Sequence, residues 1–145
     1  MIQGENMAKN LIIQFIIGCG IFLFCQSCSH HEIEIERELG KNIKNGKLCF
    51  AAIDIGPHWD SLLIVSPYDH GFESLVKMGK ADEKVIKSHT MNDGICTVLF
   101  LDKGNLAAYG FVSRNTFDFT TIKRKKCGKN ENFAVRNKKV YNSED

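Results

Sequence analysis

His58, Asp60 and His70 are the residue types that move protons or hold a metal, and they bracket one apolar segment of the chain. An imidazole titrates near neutrality and a neighbouring carboxylate can orient it, so the trio would suit a small hydrolase or a metal site if the fold drew it together. Trp59, Asp60 and Tyr68 flank the same segment and offer a ligand face, two rings and an acceptor at a sheet edge. Core and corner packing is the favoured reading of them: a tryptophan at a strand start buries a large ring while its indole N–H finds a carbonyl. A third group, Lys123, Arg124, Lys125 and Lys126, forms a basic run. It suits an anionic lipid, a glycan phosphate or an acidic envelope protein, each basic residue adding about 1 kcal/mol near an anionic surface. Lysines on a sheet edge also keep it from pairing with another chain.

No phosphate-binding glycine loop, nucleophile elbow, paired zinc histidines or Cys-x-x-Cys accompanies these residues. The expectation is a non-enzymatic binding or accessory domain without cofactor or metal. A net charge of +2 gives no ground for a nucleic-acid partner.

The residues that decide location lie further upstream. Residues 11–24 are apolar apart from Gln14, follow Lys9, and precede Gln26-Ser27-Cys28-Ser29. A positive n-region, an apolar core of about 7–15 residues and a small residue at the cut make an export signal. A permanent span needs about 20 apolar residues, more than this run supplies. Met7 is a better start than Met1, because residues 1–6 carry Glu5 and no base. Among the three nearby cysteines, Cys19 would cut the core short and Cys25 follows bulky Phe24. Cys28 follows Ser27 and opens a polar segment.

On Gln26–Ser29 and the preceding run, the chain resembles the small lipoproteins of Bacteroidetes-type bacteria. The resemblance implies a diacylglycerol thioether on Cys28, cleavage before it and acylation of the new amine. It also implies outer-membrane placement, with Glu32, Glu34, Glu36 and Glu38 able to direct surface display. Two or more acyl chains anchor stably where one does not. A second resemblance, over residues 48–120, is to small uncharacterised bacterial proteins, often lipoproteins, with a Trp-Asp, apolar strand, Pro-Tyr pattern. Trp59-Asp60, Pro67-Tyr68, Asp93-Gly94, Phe100 and Lys103-Gly104 carry it. It implies a fold unit and no activity.

The elements that must position these groups follow from periodicity. Residues 1–27 read as signal, 28–46 as a polar tether with local helix, 47–141 as one α+β domain and 142–145 as a frayed end. Strands are expected over 48–55, 59–65, 95–101, 106–112 and 117–122. A last edge strand is expected around Phe133, Val135 and Val140. Leu62-Leu63-Ile64-Val65 is apolar at each position, as in a central strand covered on both faces. Asp69 caps a helix whose stripe is Phe72, Leu75 and Val76, ending at Gly79, with a further helical turn over 81–87. Asp102-Lys103-Gly104-Asn105 is the clearest hairpin signal. The sum is a mostly antiparallel sheet of four to six strands with one main helix across it. Cys49, Cys96 and Cys127 are odd in number. A Cys49–Cys96 disulfide is open to an exported chain, but small buried hydrophobes are the favoured reading.

Overall fold

The computed structural model describes residues 31–122 and 125–143. The signal, Cys28, Lys123 and Arg124 lie outside the described residues. The chain is an α+β protein built on two sheets. In order, the elements are β1 (His31–Glu32), α1 (Ile35–Asn42), β2 (Ile43–Lys44), β3 (Lys47–Cys49), β4 (Ser61–Val65), α2 (Lys80–Thr90), β5 (Ile95–Asp102), β6 (Asn105–Ser113), β7 (Lys126–Gly128), β8 (Asn132–Arg136) and β9 (Lys139–Asn142). Short 3-10 turns cover Phe50–Ala52 and Phe72–Ser74.

The larger sheet has the order β1-β6-β5-β4-β7, and the smaller β2-β3-β8-β9. Each pairing is antiparallel except β1 on β6, where His31 faces Ala108 and Glu32 faces Tyr109 in parallel register. The larger sheet is the middle layer. Leu62 and Ile64 of β4, with Cys96, Val98 and Phe100 of β5, enter one core, shared with α1 and the smaller sheet. Leu63, Val65, Leu99 and Leu101 enter a second core beneath α2. The apolar run in β4 exists because alternate side chains serve two cores. In β6 this alternation flips at a bulge: Phe100 faces Ala108 while Leu101 faces Leu106, leaving Ala107 without an opposite partner. Leu106 therefore joins the second core, and Ala107 and Ala108 both join the first.

Four expectations need correction. Part of the stretch read as a tether, from residue 31 to 46, belongs to the body. Ile35 and Leu39, one helical turn apart on α1, are fully buried among Leu48, Phe50 and Phe133. The main helix begins at Lys80, after Gly79. Phe72 and Val76 are buried, but Leu75 is exposed and the chain there makes only a 3-10 turn. From Lys77 it runs extended beside Asn105, with Lys77 donating to Gly104 O at 2.9 Å. Residues 117–122 form no strand. Phe117 and Phe119 are buried, yet Asp118 bridges Lys139 alone. Finally, the expected strand over 48–55 stops at Cys49, where Phe50 turns into the core.

Residues 43–49 and 132–142 build the smaller sheet, with β8 and β9 joined through Asn137 and Lys138. Both have left-handed backbones, φ 48° and 67°. Among the described residues, Cys49, Cys96 and Cys127 are not joined to one another in a disulfide. Burial pushes the Cys96 thiol up from its ordinary value, as expected of a packed, unreactive sulfur.

Candidate functional site

The β5–β6 hairpin closes through two residues, Lys103 and Gly104, with φ of 50° and 80°. Two left-handed residues in a row match the right-handed twist of the flanking strands, and glycine takes the second position without steric cost. Asp60, just before β4, is stitched to this tip. Its amide donates to Leu101 O at 2.8 Å, and its Oδ2 accepts the Lys103 amide at 2.8 Å. Its Oδ1 accepts the Ser61 hydroxyl at 2.7 Å, and its carbonyl accepts the Lys129 amide at 2.9 Å.

The electrostatics follow from these bonds. The Ser61 hydroxyl, then the Lys103 amide, hold the Asp60 carboxyl below its ordinary value, with the charges of His58 and Lys126 adding to them. His58 Nδ1 stands 3.2 Å from Asp102 Oδ1, in a pair that is open to water, its side chains 74% and 43% exposed.

Trp59 lies beneath this polar cap. It is 2% exposed and meets Phe100 edge to face at 5.0 Å between ring centres. The Lys129 ammonium sits 4.8 Å from the centre of the indole. An open groove of about 420 Å³ runs along residues 51–59, bordered by Lys129.

The residues singled out from sequence thus divide. His58 and Asp60 meet at the hairpin tip, joined by Asp102. His70 instead borders a separate cavity of about 170 Å³ with Asp69, Phe72 and Leu75, where Asp69 pairs with Lys125. Among the described residues no group of three or more His, Cys, Asp or Glu side chains is placed to hold a metal. Tyr68 does not share a face with Trp59 and Asp60. It lies beyond the opposite end of β4, 54% exposed, with φ 57° and its amide on Thr90 O at 2.7 Å. Of the basic run, Lys125 is engaged by Asp69, and Lys126 projects from β7 at the edge of the larger sheet.

Asp102 and Lys129 went unnoticed in the sequence as partners of His58 and Trp59. Only the pairing of β4 with both β5 and β7 brings them there. The hairpin signal at 102–105 was the available clue. Chemically, the tip offers an exposed imidazole–carboxylate pair, and the Ser61 hydroxyl is directed at Asp60. That arrangement holds a turn and presents cations beside a groove.

No protein-family model matches the chain, and no curated protein and no solved structure matches it.

Proposed function

We propose that this chain is a lipid-anchored envelope lipoprotein whose folded body is a non-enzymatic binding or accessory domain. Residues 11–28 support the anchor: an apolar core of signal length, then a small residue and Cys28. The placement is the outer membrane, with an envelope protein, an anionic glycan or an anionic lipid as partner class. The single observation carrying the non-enzymatic reading is the use of Asp60. Both of its carboxylate oxygens are engaged, one by the Lys103 amide of the hairpin and the other by the hydroxyl of its neighbour Ser61. A residue holding a turn in this way is a poor general base.

The hydrolase or metal-binding alternative needs His58, Asp60 and His70 in one place, and His70 borders a different cavity. Alanine at each of the three positions distinguishes the readings. The binding-domain reading expects no loss of bound metal or hydrolytic activity in any variant. Loss of either with the fold intact would support the alternative. The anchor is tested by growth with a traceable fatty acid. The wild-type chain takes up label in the membrane fraction, and Cys28→Ser accumulates as an unlabelled precursor.

A further inference from the structure

We infer that the β5–β6 hairpin tip, with His58, Trp59, Lys77, Lys103 and Lys129, is the end of the body that faces the bilayer. This rests on the anchor at Cys28. Two residues, Ser29 and His30, lie between Cys28 and His31, so the chain takes three steps, each gaining at most about 3.3–3.6 Å when fully extended. Cys28 therefore stays within roughly 11 Å of the start of β1, whatever path it takes. Acyl chains on that cysteine hold it at headgroup depth. The body has no room to stand off from the surface.

Strand direction selects the end. β1 runs parallel to β6, and β6 starts at the hairpin, so the chain enters β1 from the tip side. His31 faces Ala108, only three residues along β6 from Asn105. Charge does not choose between the ends. The tip carries Lys77, Lys103, Lys129 and His58 together with Asp54, Asp60 and Asp102, and Glu131 follows Lys129 in the turn after β7. The glutamate-rich stretch leads the other way. Glu36 on α1 accepts the amide of Ser113, the last residue of β6 and farthest from the tip. With both signs at the tip, the anchor and the direction of β1 set the orientation.

Trp59, the chain's one tryptophan, lies at this end and is a native depth probe. The test uses the full mature lipoprotein in phosphatidylcholine vesicles containing a headgroup-nitroxide phosphatidylcholine as quencher. Intact mass first establishes the acyl chains on Cys28. Two further probes are H58W and M91W, each in a W59F background. Met91 is exposed and follows α2, at the end away from the hairpin. Quenching should be strong for H58W, measurable for native Trp59 and negligible for M91W. Equal or greater loss of emission for M91W, or none for H58W and native Trp59, in a correctly acylated protein overturns the orientation and leaves the anchor standing. A mass without acyl chains on Cys28 removes the anchor and the orientation with it. Native Trp59 keeps the test valid should the W59F background fail to fold.

Discussion

Ile35 of α1 rests directly on Gly110 of β6. A Cβ built on Gly110 would lie 2.7 Å from Ile35 Cγ2 and 3.0 Å from Ile33 O. The missing side chain lets the N-terminal segment lie flat on the larger sheet, with Ile33 donating to Tyr109 O at 2.9 Å. The body therefore begins three residues after Cys28 rather than at the end of a long tether. Gly110→Ala should destabilise by about 1–3 kcal/mol, the usual range for overpacking a filled core. A lower urea midpoint with an unchanged slope would show this; an unchanged midpoint would mean that α1 shifts freely.

Trp59 belongs to the core, not to a ligand face. Trp59→Ala should cost about 3–5 kcal/mol, as other large buried aromatics do, and Trp59→Phe far less, because a ring would still meet Phe100. Denaturant melts of both variants separate packing from display. A Trp59→Ala protein as stable as the parent would return the ring to the surface.

Asp118 ties the exit of β6 to β9. Arg114 Nε donates to its Oδ1 at 3.1 Å, its amide donates to Lys138 O at 2.7 Å, and its carbonyl accepts the Val140 amide at 2.9 Å. Burial pushes the carboxyl up, but the Arg114 guanidinium and the hydroxyl and amide of Thr120 outweigh it, leaving it below the ordinary 3.8. A folded value below the unfolded one contributes stability that is complete above the unfolded value and is lost as pH falls through the folded one. Stability from this group should hold down to about pH 5 and decline below about pH 4. Asp118→Asn should lower stability at neutral pH by about 1 kcal/mol and flatten the acid limb. Melting curves across that range decide it; parallel acid limbs in the two proteins would contradict it.

At the hairpin tip, Asp60→Ala removes the acceptor of the Lys103 amide and the Ser61 hydroxyl. Hydrogen exchange at the Lys103 amide should quicken while core amides in β4 and β5 stay protected. His58→Ala should leave that exchange nearly unchanged, since its pair with Asp102 is exposed and such pairs contribute about 0–1 kcal/mol. Equal exchange in both variants would separate Asp60 from the turn.

The legible parts of the sequence were those whose signal is local. Leu62–Val65 and residues 95–101 read as strands because two-sided burial leaves no polar position, and Lys103-Gly104 supplied a turn with its own backbone preference. The smaller sheet was harder to read because its strands are short and Lys-rich, with Lys47, Lys139 and Arg136 exposed beside single buried residues such as Leu48 and Val140. Residues 72–79 carried a helical stripe, but Phe72 and Val76 satisfy burial from a 3-10 turn and an extended segment, which the spacing alone does not exclude. Ile35 and Leu39 were hidden among glutamates that face water. At the site, His58 and Asp60 are close because they are two residues apart in sequence, whereas His70 borders another cavity. Asp102 and Lys129 depended on strand register, and Tyr68 was lost to the five-residue length of β4, which separates it from Trp59.

The anchor at Cys28 underlies the proposed location and orientation, and intact-mass measurement of the mature protein from membranes tests it most directly. The expected mass is that of a chain beginning at Cys28 with a diacylglycerol thioether and an acylated amine. A mass beginning at Met1 or Met7, at another cysteine, or at Cys28 without acyl groups would contradict it.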